Sequence, residues 1–592
     1  MVLGATLFFV WLGNLPLIEP DEGRNAEVAR EMLASGDWIT PHYDTLPYLD
    51  KPPVFFWLAA ASFRVAGVSE WAARFTSALA ALGTLLLTWF LARRMFNGAV
   101  PLRAGTVFAT CPLVIILARL VIFDMTLAFF ITAALMSYWM ARQAQRRASK
   151  TLSAVEGWWD AGFFAAMGLA SITKGPVGFI LPLLTVSAFE AARGRPGELK
   201  RLRWLSGLAV FFLIALPWLV VVSVRNPSFP RYAFWEESIV RFTAGGVRRG
   251  GSVLYYVPVF FGGLFPWSLF LFFAALNRLS RWKELRDDKQ APVLYLLIWS
   301  AVVLVFFSIS HSKLPAYFLP ACVPLSILMA RAWSEPDFVP QPTDAPDWLT
   351  AGFAALMALG LVTALAFWLP IHFAWLERLG RAKIPPQALA QVRPSLAYTG
   401  MILAGWGILG RKLASSKGWR GPAHTGWLTL AIAALVAPSL FLRWARPIRT
   451  YAEFASSRQL ARTLLSSPQK DLTVYGFYYF RTSLPFYLKR PVGLVTGGGG
   501  ELTSNYIASH LDGARSGAAG RELLLDYQSF YSKAQTSSQP FLVLARNSHV
   551  ASLGKATGRA EDLTPLWAEW QDSVWGVPAA RLPSPARPNS GP

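Results

Sequence analysis

Residues 205–224 read LSGLAVFFLIALPWLVVVSV and contain no charged side chain. Comparable apolar runs recur along about three quarters of the chain, for example at 78–91 and 291–309. A helix of about 20 apolar residues crosses the roughly 30 Å hydrocarbon core of a bilayer, whereas the strands of a membrane barrel are shorter and alternate in polarity. The sequence therefore predicts a mainly α, polytopic membrane protein and excludes an outer-membrane barrel.

The composition also indicates a protein that is surrounded by lipid. The chain has 592 residues, of which 54% are hydrophobic and 15% are charged, with a net charge of +22; a soluble protein would be about a quarter charged. The basic residues lie in short loops between apolar runs and not on a polar domain, which excludes a nucleic-acid-binding protein. Both cysteines, Cys111 and Cys322, lie inside apolar segments, so we expect buried thiols and no disulfide framework.

Hydropathy, with proline and charge as breaks, predicts about thirteen membrane spans. They lie near residues 2–17, 71–91, 104–118, 122–141, 158–173, 175–191, 204–224, 255–276, 291–309, 315–330, 348–369, 396–410 and 425–443. Strongly basic connections recur at 93–103, 142–150, 193–203, 278–289 and 411–420, and the positive-inside rule assigns them to the cytoplasm. An odd number of spans then leaves the amino terminus inside and the carboxyl terminus outside. We therefore define a transmembrane domain over residues 1–445.

The chain from residue 446 onward is more polar. Strand-like runs at 472–479 and 541–544 follow a helix-like stretch at 457–466, which predicts a small α/β domain over residues 446–576 on the outer side. The stretch 577–592 contains several Pro and Ser residues and is typical of a disordered tail.

A long outer connection, residues 18–70, separates the first two predicted spans. It begins with EPDEGR at 19–24, is helix-prone to about residue 34, and continues with GDW at 36–38 and YLDKPP at 48–53. A loop of this length is usually functional. The apolar stretch 54–65 is too short to span and suits a helix that lies in the membrane interface.

The acids and bases of this loop suit chemistry on a lipid headgroup. Cations such as Lys51 and Arg24 would stabilise the charge on a departing phosphate. A carboxylate, Asp21 or Glu22, would orient or deprotonate an acceptor, or stabilise an oxocarbenium-like sugar centre. The alternative is that Asp21, Glu22 and Arg24 only cap a surface helix, because acids are favoured in a first turn.

Two further ionisable residues lie at the outer ends of other predicted spans. Asp124 follows Arg119 at the end of the fourth predicted span, where an acid among apolar residues costs free energy and so indicates a function. The alternative is a structural ion pair between Arg119 and Asp124. Lys174 lies in another outer turn, either as a ligand contact or as a lysine that snorkels to the interface.

Two later outer loops also carry cations and aromatic rings. The loop 225–256 holds Arg241 among further charged and aromatic residues, which can receive a phosphate or form only a solvated loop. Lys313 and Tyr317 lie at the outer mouth of the tenth predicted span, where tyrosine is equally typical of an interface anchor.

The motifs EPDEGR at 19–24, REML at 30–33, GDW at 36–38 and DKPP at 50–53 resemble the first outer loop of the bacterial aminoarabinose transferase family. That family is related to the protein O-mannosyltransferases among the C-type membrane glycosyltransferases. KLPAYFLP at 313–320 resembles a later motif of the family, and the predicted architecture is similar too. The resemblance implies a sugar donor on undecaprenyl phosphate, transferred with inversion at the periplasmic face, and in the aminoarabinose members to a lipid A phosphate.

The resemblance also implies roles for single residues. Asp21 matches the first-loop acid near the reaction centre, and Asp124 matches a second acid by position. Lys51 matches the lysine that meets the lipid phosphate, Tyr317 a tyrosine near that phosphate, and Arg241 a phosphate-binding arginine.

Three positions depart from the family pattern. The resemblance implies a Glu directly before the lysine and a His in the later outer loop, which together hold a metal; here those places are Asp50 and Ser238. A carboxylate without its imidazole makes a poor zinc site, so we predict no metal and no cofactor. Asn25 stands where an aromatic residue is common in the family. These departures leave specificity for aminoarabinose open.

The leading hypothesis is a glycosyltransferase of the bacterial inner membrane, with its active site and carboxyl-terminal domain in the periplasm. Its partners are a polyprenyl-phosphate sugar donor, a lipid or glycolipid acceptor and the membrane, with no nucleic acid. The alternatives are a protein O-mannosyltransferase-like enzyme, a transporter or flippase of lipid-linked sugar, and a structural membrane anchor. A transporter would place ionisable residues near the midplane of its spans, whereas here they concentrate in the outer loops.

Overall fold

The computed structural model describes residues 1–147, 154–240, 243, 251–278, 285, 287–334, 348–369, 384–415, 422–558, 560–569 and 571–579. The chain folds into two compact units. We call Met1–Leu15 with Lys51–Tyr451 the membrane unit, and Pro16–Asp50 with Ala452–Pro592 the sheet unit. The sequence places residues 18–50 with the transmembrane domain, whereas in the structure they pack with the carboxyl-terminal residues.

The membrane unit is helical throughout its described part. Its helices are Val2–Phe9, Val54–Ala66, Glu70–Met95, Val100–Thr110, Pro112–Ala118, Asp124–Arg147, Ala154–Lys174, Val177–Ala192, Trp204–Arg225, Phe229–Arg231, Tyr256–Gly263, Trp267–Arg278, Ala291–Ile309, Leu319–Ala332, Trp348–Trp368, Pro386–Ser415 and Pro422–Phe454, the last of which runs into the sheet unit. A π-helix covers Tyr232–Val240, and 3-10 turns cover Pro196–Arg201, Val253–Tyr255, Asp288–Gln290 and Pro315–Phe318. The stretch 54–65 is a short apolar helix, as predicted, and its place in the membrane interface stays a prediction.

Six helices among the described residues are long and apolar enough to cross a membrane, or up to eight if each of two bent pairs forms one span. The six are Glu70–Met95, Asp124–Gln145, Trp204–Arg225, Asp288–Ile309, Pro315–Ala332 and Leu349–Trp368. The chain is thus a mainly helical, multi-span membrane protein, although these six to eight candidates are fewer than the thirteen predicted.

Three predicted spans are not single helices. The span predicted at 104–118 breaks by 64° at Cys111, because Pro112 has no N–H and holds the preceding residue in extended geometry. The span predicted at 255–276 bends by 114° between its two helices, at a break that contains Pro266. The first predicted span, 2–17, is helical only to Phe9, since Trp11 has a φ of 56° that a right-handed helix cannot continue.

Close packing and internal hydrogen bonds suit the membrane unit to lipid. The hydroxyls of Thr84, Thr88 and Thr132 each donate to the carbonyl four residues earlier, which satisfies them without water. Gly360 and Gly400 lie where the helices Trp348–Trp368 and Pro386–Ser415 touch, and a Cβ on either would overlap the facing backbone. Small residues at such crossings let membrane helices approach closely. Both cysteines are buried free thiols, as predicted.

The sheet unit contains the predicted α/β domain. A hairpin of β1 (His42–Tyr43) and β2 (Leu46–Pro47) precedes a six-stranded sheet of order β5-β4-β3-β6-β8-β7. Its strands are β3 (Val474–Phe477), β4 (Gly493–Val495), β5 (Leu524–Leu525), β6 (Phe541–Arg546), β7 (Thr564–Glu569) and β8 (Asp572–Val577). Strands β3, β4, β5 and β6 run parallel, while β8 runs antiparallel to both of its neighbours, β6 and β7.

Helices occur in both chain segments of the sheet unit, Pro16–Asp50 and Ala452–Pro592. They are Asp21–Ser35, Arg458–Ser466, Leu484–Leu488, Asn505–Ser509, Leu511–Ser516, Ala518–Leu523, Tyr527–Thr536 and Val550–Thr557, with 3-10 turns at Gly500–Leu502, Asn547–His549 and Ala560–Asp562. The helix predicted at 457–466 and the strands predicted at 472–479 and 541–544 are confirmed. Most of the predicted tail, 580–592, lies outside the described residues.

Candidate active site

Asp124, Lys174 and Tyr317 form a cluster in the membrane unit, in which Asp124 is buried and the other two residues are half-buried. Asp124 opens the helix Asp124–Arg147, and Lys174 closes the helix Ala154–Lys174, so each charge lies at the helix end that favours it. Lys174 Nζ is 2.5 Å from Asp124 Oδ1 and 4.7 Å from the centroid of the Tyr317 ring. The sequence placed Lys174 in an outer turn but did not identify its partner.

The alternative considered for Asp124, a structural ion pair with Arg119, is wrong. Arg119 donates to the carbonyl oxygens of Leu7 and Phe8, at 2.9 and 3.2 Å, and its guanidinium lies over the Phe441 ring. Arg119 therefore binds the end of the first helix, and Asp124 pairs with Lys174 instead. Because the side chains of Asp124 and Lys174 are 10% and 12% exposed, removing either would strand a poorly solvated charge.

A second ion pair of the membrane unit joins Lys51 to Glu237. Lys51 stands just before Pro52 and Pro53, ahead of the helix Val54–Ala66, and Glu237 lies on the π-helix Tyr232–Val240. Lys51 Nζ donates to Glu237 Oε1, and the two side chains are 17% and 14% exposed. The sequence predicted Lys51 as a phosphate ligand but gave no signal for its partner, which is 186 residues away.

Aromatic contacts link the segments that carry the two ion pairs. The ring of Phe123, the residue before Asp124, lies 4.8 Å from the Phe55 ring and 5.2 Å from the Phe56 ring, centroid to centroid. Phe55 and Phe56 belong to the helix that follows Lys51. The structure therefore brings Lys51 and Asp124 to neighbouring segments within the membrane unit.

The remaining predicted phosphate ligands of the membrane unit differ in what they contact. Lys313 is 5% exposed, and its Nζ donates to the carbonyls of Ser308 (3.0 Å) and Ser310, which stabilises the end of the helix Ala291–Ile309. The Tyr317 ring packs against Phe307 with centroids 4.8 Å apart. Arg241 lies outside the described residues.

Asp21 and Arg24 pair in the sheet unit. Arg24 Nη2 donates to Asp21 Oδ1 at 2.5 Å, and Arg24 Nη1 donates to the carbonyl and hydroxyl oxygens of Thr503 at 2.8 and 2.7 Å. Burial alone would lower the pKa of Arg24, but the nearby Tyr48, Asp21 and Asp50 raise it, so the guanidinium stays charged. The Asp21 side chain is 44% exposed and is therefore accessible to a ligand.

Glu22 has a different environment from its neighbour Asp21. It is 2% exposed, and its carboxylate accepts a hydrogen bond from the backbone N–H of Ile18 at 2.9 Å. Ile18 precedes the helix Asp21–Ser35, so this bond ties Glu22 to the chain that leads into the helix. The structure therefore separates the two first-turn acids into an exposed one and a buried one.

Glu19 and Asp50 fix the two ends of the first-loop segment within the sheet unit. Glu19 Oε1 accepts from the hydroxyls of Ser457 and Ser483, both at 2.6 Å. Asp50 accepts from the Ser504 hydroxyl and from two backbone N–H groups at the start of the helix Asn505–Ser509, both at 3.1 Å. These bonds explain why Pro16–Asp50 packs with the carboxyl-terminal residues.

The two positions that depart from the family's metal pattern serve other contacts. Asp50 caps a helix, and the Ser238 hydroxyl donates to the Ala233 carbonyl at 2.7 Å. Within the described ranges, no group of three or more His, Cys, Asp or Glu side chains could hold a metal ion. These residues do not fit a zinc site.

Three acids are buried around the helix Asp21–Ser35. Glu27, Glu31 and Asp44 are 0%, 9% and 2% exposed, and Arg30 donates to Glu27 at 2.6 and 2.7 Å. Burial, followed by the charges of Glu27 and Asp44, raises the pKa of Glu31 to about 9. Glu31 is therefore protonated at neutral pH, which limits repulsion within this cluster.

A family profile and individual relatives match long stretches of this chain. The family profile described as dolichyl-phosphate-mannose-protein mannosyltransferase matches residues 19–233. The undecaprenyl phosphate-alpha-4-amino-4-deoxy-L-arabinose arabinosyl transferase of Enterobacter sp. (strain 638) is 32% identical over 416 residues, or 69% of this chain and 70% of that protein. Its counterpart in Aeromonas salmonicida (strain A449) is 31% identical over 405 residues, or 67% and 69%.

A solved structure matches almost the whole fold. The crystal structure of ArnT from Cupriavidus metallidurans bound to undecaprenyl phosphate superposes with a TM-score of 0.79 at 27% identity. The match covers 97% of this chain and 96% of that one, and the apo structure of the same protein gives the same TM-score.

Proposed function

The chain belongs to the family of undecaprenyl phosphate-alpha-4-amino-4-deoxy-L-arabinose arabinosyl transferases, and we propose that it moves aminoarabinose from undecaprenyl phosphate to a lipid A phosphate. As a member of this family it is a membrane glycosyltransferase. One observation in the structure supports the proposal most: the Asp124, Lys174 and Tyr317 cluster adjoins the segment that carries Lys51. The cluster combines a carboxylate, cations and an aromatic ring, which are the groups that a phosphate-linked sugar needs.

The cations would stabilise the leaving phosphate. In the ion pair with Glu237, Lys51 is already oriented and partly desolvated, and a donor phosphate would replace Glu237 as its partner. Arg241 and Tyr317 would add contacts to the same phosphate, as the family resemblance implies. Arg24 and Lys313 are weaker candidates, because both hold protein carbonyls.

The carboxylates would act at the sugar. Positive charge develops at the anomeric carbon as the phosphate departs, and a fixed carboxylate stabilises it. Asp124, held by Lys174, and the exposed Asp21 are the candidates, whereas Glu22 is buried and binds the Ile18 N–H. A phosphate acceptor is already nucleophilic, so attack from the opposite face, with inversion, requires no strong general base.

The membrane placement is part of the proposal. The positive-inside pattern favours a multi-pass protein of the bacterial inner membrane with about thirteen crossings and its active site in the periplasm. Cysteine labelling tests this, because both native thiols are buried. A membrane-impermeant reagent should label Ser516→Cys in intact spheroplasts, whereas Arg195→Cys should react only after lysis. The reverse pattern would invert the topology.

A reconstituted assay tests the reaction. The purified protein in liposomes, with synthetic undecaprenyl-phosphate aminoarabinose and lipid A, should add one aminoarabinose per modified phosphate, detected by mass spectrometry. Asp21→Asn should nearly abolish transfer, whereas Asp512→Asn, at a fully exposed acid of the same unit, should leave it unchanged. Failure of the wild-type protein to transfer the sugar would refute the proposed substrates.

A second candidate is protein O-mannosylation, since the matching family profile carries that description. The same liposomes with a polyprenyl-phosphate mannose donor and a Ser/Thr-rich peptide distinguish the two reactions. Mannosylated peptide together with unmodified lipid A would favour this second function.

A further inference from the structure

The carboxyl ends of the parallel strands in the sheet unit form an edge that contains none of the candidate catalytic residues. The chain runs from β3 outward through β4 to β5, and then returns to place β6 on the other side of β3. In open α/β sheets, ligands bind outside the carboxyl ends of the strands, near such a change of direction. A ligand is therefore expected at the loops that follow β3, β4 and β5.

A glycine-rich loop follows β4 with an open outer surface. It reads TGGGGE over residues 496–501, and a Cβ added at Gly497, Gly498 or Gly500 would meet no atom within 4 Å. The Thr496 hydroxyl holds the loop from inside: it donates to Glu501 at 2.6 Å and accepts from the Gly499 N–H at 2.7 Å. The loop is fixed, yet another molecule can approach its backbone closely.

Aromatic and charged side chains surround this loop. Tyr478 follows β3 and Tyr527 follows β5, and their side chains are 36% and 43% exposed. The Tyr478 N–H donates to the Val495 carbonyl and the Thr496 N–H donates to the Leu525 carbonyl, both at 2.9 Å, so the chain at Tyr478 and at Asp526 adjoins the start of the loop. Burial raises the pKa of the Tyr478 hydroxyl, and the charges of Glu501 and Asp526 raise it further. Arg515 also donates to the Thr496 carbonyl. We call Tyr478, residues 496–501, Arg515, Asp526 and Tyr527 the glycine-loop edge.

The chemistry of this edge selects a saccharide over an anion. Tyrosine faces pack against the C–H faces of a sugar ring, while carboxylates and backbone N–H groups bind its hydroxyls. Bonds from Ser529 lower the pKa of Asp526, so that Asp526 is ionised at neutral pH. With two carboxylates and one guanidinium, the edge disfavours a phosphate and favours a neutral or aminated sugar.

Hydrogen bonds connect the glycine-loop edge to the predicted catalytic loop. The Thr503 N–H donates to the Gly500 carbonyl at 3.1 Å, and Thr503 in turn accepts from Arg24, the partner of Asp21. All of these residues belong to the sheet unit. A sugar bound at this edge would therefore lie in the same folded unit as Asp21.

We propose that the glycine-loop edge binds the saccharide headgroup of the acceptor. The identity of the saccharide as an acceptor rests on the proposed function, whereas saccharide binding itself does not. The edge would hold the acceptor by its sugar rings and leave its phosphate for the reaction.

Binding is tested with the full-length protein in detergent micelles. The probe is a β-1,6-linked glucosamine disaccharide without acyl chains or phosphate, titrated by saturation-transfer NMR. Tyr478→Ala and Tyr527→Ala should each weaken binding by about 3- to 10-fold, the value of one aromatic contact. Asp526→Asn should weaken it too, although asparagine preserves the helix cap. The matched control is Tyr531→Ala, because this equally exposed tyrosine lies beside Gly558.

Kinetics separate this inference from the proposed function. In the liposome assay, the edge variants should raise KM for lipid A by about the same factor and leave kcat and the donor KM unchanged. If transfer occurs but the disaccharide does not bind and the variants behave as wild type, the inference is wrong and the proposed function stands. If the disaccharide binds at this edge but no transfer occurs, the saccharide site stands and the proposed function fails. Equal loss in Tyr531→Ala would show a general surface effect and overturn the site.

Discussion

Charged side chains play different parts in the membrane unit and in the sheet unit. In the membrane unit, Asp124 pairs with Lys174 and Lys51 pairs with Glu237, acid to base, with all four side chains less than a fifth exposed. In the sheet unit, Glu19 and Asp50 bind serine hydroxyls and backbone N–H groups, which a substrate would not replace.

This difference separates charged side chains that can bind a ligand from charged side chains that stabilise the fold. A poorly solvated acid–base pair can exchange its partner for a ligand of the same charge, because the cost of desolvation is already met in the resting state. A carboxylate that satisfies several backbone or hydroxyl donors loses more bonds than a ligand returns. In the first loop, Asp21 combines an ionic partner, Arg24, with a side chain that is 44% exposed.

Among the ion pairs of the membrane unit, the largest effect should follow disruption of the Asp124–Lys174 pair. Lys174→Ala leaves Asp124 poorly solvated and without its cation, and we expect transfer to fall by about 100- to 1000-fold in kcat. The exposed Lys289→Ala is the matched control. Near-normal kcat in Lys174→Ala would show that the pair is not part of the reaction site.

Substitutions of the two partners in the Lys51–Glu237 pair should change the donor KM in opposite directions. Lys51→Ala should raise the donor KM by about 10- to 100-fold, because a phosphate contact is lost. Glu237→Gln removes the competing carboxylate and should lower the donor KM by about 2- to 10-fold. Steady-state kinetics with varied donor distinguish the two. If both variants raise the donor KM alike, the pair is structural and does not exchange with the phosphate.

A smaller effect is expected at the structural carboxylates of the sheet unit. Glu19→Ala leaves the hydroxyls of Ser457 and Ser483 without their acceptor, which should cost about 1–3 kcal/mol in local stability. Hydrogen exchange should then accelerate in the helix Asp21–Ser35, whereas Asp512→Ala should leave it unchanged. Unaltered protection in Glu19→Ala would show that this carboxylate does not hold the loop.

The smallest effect concerns Glu31 and depends on pH. Its pKa of about 9 in the folded chain lies above the ordinary value of 4.5, so the folded state binds the proton more tightly. Stability from this group is therefore full below about pH 4.5 and is lost as pH rises through 9. Glu31→Gln carries no ionisable proton at this position and should therefore stabilise the protein more at pH 8 than at pH 5. Thermal unfolding at both values checks this, and an equal shift at both would contradict it.

Local patterns determined much of the fold. Apolar length predicted a membrane protein, and first-turn acids predicted the helix that the structure places at Asp21–Ser35. Alternation and turn residues predicted strands where β3 and β6 occur. The break at Pro112 was missed because proline does not always end a membrane helix: Pro217 lies inside the continuous helix Trp204–Arg225.

The sequence by itself determined the solvent, the class of fold and the residue types of the candidate site, because these follow from composition and from contacts a few residues apart. Only the tertiary structure decided the partners: Lys174 meets Asp124 across 50 positions, and Glu237 meets Lys51 across 186. It also decided that Glu19 and Asp50 tie the first loop to the sheet unit. A charge in poorly solvated surroundings requires a partner, but which partner it finds depends on how distant helices and strands pack.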